Sequence, residues 1–139
     1  MSQYVNFFAR HDKEFVPIAS YSRSTEAYKA VNAPYESLRE IKEDELREIA
    51  ERLRIAKNFA KTQIDRENRK IKLIFSANNS LDDKLDAVEK IQETIEEYEE
   101  ESSALAAFAT EFIFMANMTY DNTIYVGIEI DEPTEEDIR

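Results

Sequence analysis

The stretch Ala77-Asn78-Asn79-Ser80-Leu81-Asp82-Asp83 decides the fold, because it separates two segments of equal length with helical apolar spacing and opposite charge. Residues 42–78 hold ten Lys/Arg and seven Asp/Glu, a net of +3, and residues 81–117 hold two Lys/Arg and eleven Asp/Glu, a net of −9. Ser80 is a good N-cap, and Asp82 and Asp83 suit the positive end of a helix dipole. Upstream, Leu46, Ile49, Leu53, Ala56 and Ala60 alternate in steps of three and four, a heptad seam that resumes at Ile71 and Ile74. Gln63 and Glu67 occupy the seam between them. Downstream, Leu85, Val88, Ile91, Ile95, Tyr98, Leu105, Phe108 and Phe112 recur at helical spacing. The expectation is a long antiparallel helical hairpin over about 42–78 and 81–117, each arm roughly 55 Å long. In that hairpin residue i faces about residue 159 − i. Arg66 is therefore expected near Glu93, Lys70 near Glu89, and Lys57 and Lys61 near Glu96 to Glu101.

Outward from the hairpin, the chain reads as β structure. Tyr4-Val5-Asn6-Phe7-Phe8-Ala9-Arg10 and Phe15-Val16-Pro17-Ile18-Ala19-Ser20-Tyr21 flank a polar break at His11-Asp12-Lys13-Glu14, the pattern of a β-hairpin. Pro17 lacks an N–H, so its strand needs a free edge or a bulge there. Ser22-Arg23-Ser24-Thr25 opens a short helix that ends before Pro34, and residues 34–41 fit either a helical turn or a linker. Thr123 to Ile130 alternates strictly, with Ile124, Val126, Ile128 and Ile130 on one face. Asp131 to Arg139 holds five acids, one Pro and one Arg, the composition of a disordered acidic tail. The fold class expected is α+β: a single domain over 1–130, with a three-stranded antiparallel sheet at the base of a helical stalk.

Composition narrows the function. A net charge of −12 excludes general nucleic-acid binding, which needs Lys and Arg for phosphates, and fits a protein partner with a basic surface. Without cysteine there is no disulfide, thiolate metal site or cysteine nucleophile. The start of the chain lacks the basic and apolar regions of a signal peptide, and no apolar run approaches the ~20 residues of a membrane span, so a cytoplasmic protein is expected. His11, the only histidine, falls in a turn and builds neither a triad nor a histidine-rich metal site. One glycine, Gly127, rules out a glycine-rich phosphate loop. No catalytic, cofactor or metal residues are expected.

The candidate working residues are therefore surface ones. Glu96, Glu97, Glu100 and Glu101 form an acidic face, and Tyr4, Phe8 and Tyr125 lie opposite the core face of their strands, where exposure would mark an interface. A two-helix stalk buries one seam per helix, so a homodimer is also expected. The stretches Tyr4-Val5-Asn6-Phe7-Phe8-Ala9-Arg10, Phe15-Val16-Pro17-Ile18, Ser20-Tyr21-Ser22-Arg23-Ser24 and Ile124-Tyr125-Val126-Gly127-Ile128-Glu129 resemble the small acidic accessory proteins of Gram-positive phages and mobile elements. The resemblance covers under a quarter of the chain and assigns no functional residue. It implies an accessory role such as inhibition of a host defence system, a CRISPR nuclease for instance. Two other readings stand beside it: an acidic mimic of nucleic acid that occupies a basic groove, and a small-ligand or nucleotide sponge with a pocket at the sheet–helix junction or a dimer seam.

Overall fold

The computed structural model describes residues 3–139. The fold is α+β, with two long helices in a hairpin and a four-stranded antiparallel sheet. Strands β1 (Tyr4–His11) and β2 (Glu14–Ser22) form the N-terminal hairpin, followed by a short helix α1 (Glu26–Ala30) and strand β3 (Arg39–Ile41). Helices α2 (Glu43–Ser76) and α3 (Leu81–Met118) come next, then β4 (Thr123–Ile128). The sheet order is β2-β1-β4-β3. The chain divides into two compact units, one made by residues up to Leu53 together with Phe108–Arg139, the other by Arg54–Ala107.

In the sheet unit, the β1 hairpin turns at Asp12, which takes a φ of 57°, a conformation that Asp tolerates better than bulkier residues. Pro17 meets both conditions set by its missing N–H. β2 is an edge strand, and the β1–β2 register shifts between Phe7, opposite Ala19, and Phe8, opposite Pro17. β1 lies between β2 and β4, with Val5 opposite Ile128, Phe7 opposite Val126 and Ala9 opposite Ile124.

One face of the sheet holds the main core. Phe7, Tyr21 and Phe112 meet there in edge and stacked contacts, with ring centroids 5.4–5.9 Å apart, and Phe108 joins at 5.4 Å from Tyr21. Such pairs add about 0.5–1.5 kcal/mol each beyond the area they bury. Leu46, Ile49, Ala50 and Leu53 from the first turns of α2 are buried in the same unit. Arg39 ties β3 to that helix start with two bonds to the Glu45 carboxylate, at 3.0 and 2.6 Å, and a third to the Asn32 carbonyl at 2.7 Å. In α1, Ala27 is the fully buried residue and Val31 follows it, while Tyr28 is only partly covered. Thr25 is the cap, accepting from the Tyr28 N–H.

Three expectations for this unit need correction. The sheet has a fourth strand, because Arg39-Glu40-Ile41 pairs with Val126-Tyr125-Ile124, a long-range partner that leaves no periodicity in so short a segment. Ile130 does not share a face with Ile124 and Val126. Glu129 adopts a φ of 57°, which ends β4 at Ile128 and sends Ile130 to the opposite side. Asp131–Arg139 is laid against that side. Its Glu135–Asp137 turn is closed by Thr134 and Asp137, and Ile138 forms a bridge with Leu38.

The second side is a small core of its own, made by Phe8, Leu38 and Ile130 with Phe15, Tyr125 and Ile138 packed against it. Gly127 makes room for it. A Cβ there would fall inside van der Waals contact of the Ser37 carbonyl and 2.9 Å from the Ile130 Cγ2. The segment 34–38 crosses β4 at this point, held by the Glu36 N–H on the Ile128 carbonyl and the Ile128 N–H on the Pro34 carbonyl, both at 2.8 Å.

The helical unit follows its heptads. The Ser80 hydroxyl accepts from the Asp83 N–H at 3.3 Å, and Lys84 Nζ donates to the Phe75 carbonyl at 3.2 Å, capping the end of α2. Among the described residues only Ala60, Val88, Ile95 and Leu105 are buried apolar residues here, with Ser102 the buried polar one. Gln63 and Glu67 do sit in the seam, and the Glu67 side chain is 12% exposed and bonded to Lys70 at 2.8 Å.

Candidate functional site

The seven residues singled out from the sequence divide between the two units. Glu96, Glu97, Glu100 and Glu101 are all exposed on α3. At 100° per residue they form two rows, Glu96 with Glu100 and Glu97 with Glu101. Glu96, Glu99 and Glu100 line a shallow, open depression with Ser103. The cross-helix pairs expected from the register are not made. Among the described residues no ion pair joins Lys57, Lys61 or Arg66 to α3, and Lys70 binds Glu67 of its own helix. An exposed pair is worth only about 0–1 kcal/mol, less than the cost of fixing two long side chains, so a partner one turn away on the same helix is the cheaper choice. Among the described residues, no ion pair with those lysines engages the acidic rows.

Tyr4, Phe8 and Tyr125 lie together on the second face of the sheet only in part. Tyr4 is exposed at the start of β1. Phe8 is 1% exposed and offers no contact surface, because Leu38, Ile130 and Ile138 cover it. Tyr125 is half-buried with its ring 5.6 Å from Phe15. Beside it, Arg10 stacks over the Phe15 ring at 5.2 Å and forms an ion pair with Glu135, while its Nε is buried without a hydrogen-bond partner. The neighbouring Tyr125 hydroxyl, and then Glu135, push the Arg10 pKa up, against the opposing effect of burial.

A depression of about 610 Å3 opens at this end of the sheet between Arg10, His11, Asp12, Tyr120, Asp121, Asn122 and Tyr125. Its chemistry is mixed, two carboxylates against one guanidinium and one imidazole. His11 is exposed and 3.9 Å from Asp12, and among the described residues no hydroxyl is hydrogen-bonded to it. No nucleophile–base pair exists here. Among the described residues no cluster of three or more His, Cys, Asp or Glu is placed to hold a metal ion, and no helix is long and apolar enough to cross a membrane.

Two features escaped the sequence reading. The run Phe7-Phe8-Ala9 is apolar on both faces, which is the signal of a strand buried on both sides, and it would have placed Phe8 in a core. The second is a set of large apolar residues that the helical unit leaves exposed: Ile55, Phe59, Leu73, Phe75, Leu81 and Leu85. Ile55, Phe59 and Leu73 recur at 4 and 14 residues, which keeps them on one line of α2 away from the buried seam. Each of the three stands one residue before a seam position, Ala56, Ala60 and Ile74, which was the available sign; Leu85 was expected in the seam and is instead half-exposed.

No protein-family model matches the chain, and neither a curated protein nor a solved structure matches it.

Proposed function

We propose that this chain is a non-enzymatic protein-interaction protein, and that its helical unit is the docking element. The observation behind this reading is the exposed pair Ile55 and Phe59, one turn apart, with Leu73, 71% exposed, about 21 Å further along α2, in a unit with four buried apolar residues. A helical pair this thin gains little from its own packing, and large apolar side chains grouped on its outside favour a covering partner. The resemblance to accessory proteins of phages and mobile elements supplies the finer reading that the partner is a host protein, inhibited by being bound, and the single seam buried per helix adds that the chain works as a homodimer. Affinity capture from a Gram-positive host, comparing the parent chain with Phe59→Asp and Leu73→Asp, tests it. Loss of one specific partner in variants that melt like the parent supports the proposal. Capture unchanged by both substitutions, or no specific partner, counts against it. Light scattering decides the dimer.

The free acidic rows of α3 favour a second reading, an acidic mimic that occupies a basic groove. Reversal of Glu96, Glu97, Glu100 and Glu101 to Lys then abolishes competition with DNA or RNA, whereas retained inhibition rejects the mimic. The small-ligand reading has less support, since the depressions at the sheet are wide and open. Thermal stabilisation by a nucleotide would revive it.

A further inference from the structure

We infer that Asp131–Arg139 is a displaceable strap over a docking groove on the second face of the sheet, and that the groove takes an acidic peptide bearing one branched aliphatic side chain. The inference rests on the reading of the chain as an interaction protein and assigns it a second, masked surface.

The groove has a floor, an anchor and a backbone rail. Phe8, Leu38 and Ile130 make the floor, with Phe15 and Tyr125 at its margin, and Ile138 of the strap fills it. The anchor is Arg10, held in place by the Phe15 ring and engaged by Glu135. Its Nε is buried without a hydrogen-bond partner, while Glu135 and the Tyr125 hydroxyl lie beside the guanidinium. The rail is Leu38, whose N–H donates to the Asp137 carbonyl at 2.7 Å and whose carbonyl accepts from the Arg139 N–H at 3.0 Å. An extended peptide added beside a strand is bound in this way, by main-chain bonds along an edge and by pockets for alternate side chains.

The strap is built to leave. Glu135 is exposed, Ile138 is its one apolar side chain in the floor, and the bonds of the Thr134–Asp137 turn are internal to the strap and survive its release. Among the described residues, the Leu38 rail, the Arg10–Glu135 pair and the bonds from the Asn6 amide to the Ile130 carbonyl and the Asp131 carboxylate are what tie residues 130–139 to the sheet by hydrogen bonds. Against these stands the conformational entropy of ordering nine residues. A competing segment needs to supply what the strap supplies: a carboxylate for Arg10, a branched aliphatic side chain for the floor, and a free main chain for Leu38.

Amide hydrogen exchange of the unaltered chain tests the release. The Leu38 and Arg139 amides are expected to exchange at least ~100-fold faster than those of the β1–β4 ladder, through a local opening. Exchange at the ladder's rate overturns the inference. Occupancy is tested by NMR titration of the Ile138→Asp chain with a synthetic peptide of residues 131–139. The peptide is expected to shift the amides of Phe8, Leu38 and Tyr125, to need ~10-fold more material for the parent chain, whose own strap competes at high effective concentration, and to act no longer when it carries Ile138→Asp itself. A folded Ile138→Asp chain left unshifted overturns the groove, and the exchange measurement decides alone if that variant does not fold. If the groove fails while Phe59→Asp still abolishes partner capture, the interaction reading stands without the strap. If both fail, the interaction reading falls too.

Discussion

Helix α2 passes through two regimes, and the difference explains how this chain divides its work. Before Leu53 its inward positions are Leu46, Ile49, Ala50 and Leu53, all buried in the sheet unit beside an aromatic cluster. After Leu53 the same heptad seam reads Ala56, Ala60, Gln63 and Glu67, and only Ala60 is fully buried. The helix is continuous and the period does not change. What changes is how much apolar area each turn removes from water, at about 25 cal/mol per Å2. Cohesion is concentrated in the sheet unit, and exposed apolar side chains and free acidic rows are concentrated in the helical unit. A fold arranged in this way keeps most of its stability apart from the exposed side chains of the helical unit, so those side chains can vary without loss of the fold.

The comparison breaks if substitutions in the two units cost the same. Phe112→Ala removes the ring that touches both Phe7 and Tyr21, and is expected to cost about 3–5 kcal/mol in urea unfolding. Phe59→Ala removes a ring of equal size that is 65% exposed, and is expected to change stability by no more than about 0.5 kcal/mol. Equal losses would mean that Phe59 is covered in the free protein.

Gly127→Ala comes next. The added methyl meets backbone at Ser37 and the Ile130 side chain, and the backbone cannot swing aside as a flexible side chain would. A loss of about 1–3 kcal/mol is expected, with the 34–38 crossing and the 131–139 strap loosened first. Faster amide exchange at Glu36 and Leu38, with the β1–β4 ladder accelerated least, would locate the damage. A neutral result would show that 34–38 does not cross so closely.

These two sites also show where the sequence was readable. The hairpin and its Ser80 cap were legible because a heptad and a cap are local patterns, and β1, β2 and most of β4 were legible through alternation. β3 was not, since three residues have no period and become a strand only by meeting Tyr125. The cover over Phe8 was hidden for the same reason: Leu38 and Ile138 reach it from segments that read locally as linker and acidic tail. In the candidate site, the exposure of Glu96, Glu97, Glu100 and Glu101 followed from the helix period. Their lack of cross-helix partners did not, because the register places charges near each other but side-chain entropy decides whether they bond.

Glu67→Leu sharpens the comparison from the other side. Glu67 lies in the seam of the helical unit, nearly buried, with Lys70 as its partner. Removing one member of an ion pair is costly where the other charge stays buried, but Lys70 is 59% exposed and returns to water, while the leucine adds apolar area to the seam. A gain of about 1 kcal/mol in the local stability of the helical unit is expected, read as slower amide exchange in α2 beyond Leu53 with the sheet unit unchanged. A loss would assign Glu67 a role in fixing the register of the pair.

At Tyr21 the effect at neutral pH is small, and its interest lies in its pH dependence. The Tyr21 hydroxyl donates to the Glu111 carboxylate at 2.8 Å, and burial, followed by that carboxylate, raises the phenol pKa well above its ordinary value. In the unfolded chain the phenol titrates near about 10. A raised folded pKa means that the folded state keeps a proton the unfolded state has released, so the stabilisation is complete below about pH 10 and declines above it, by at most about 1.4 kcal/mol per pH unit. Tyr21→Phe removes one hydrogen bond whose acceptor is exposed to water, and is expected to cost about 1 kcal/mol or less at pH 7. Above pH 10 the parent chain loses stability that the variant does not, so their urea midpoints converge and then cross. Parallel midpoints from pH 8 to 11.5 would show that Tyr21 titrates as freely in the folded chain as in the unfolded one. Because the Tyr21–Glu111 bond lies wholly within the sheet unit, the protection of amides in the helical unit, with the base-catalysed rise of intrinsic exchange divided out, should fall with pH only where the sheet itself starts to unfold.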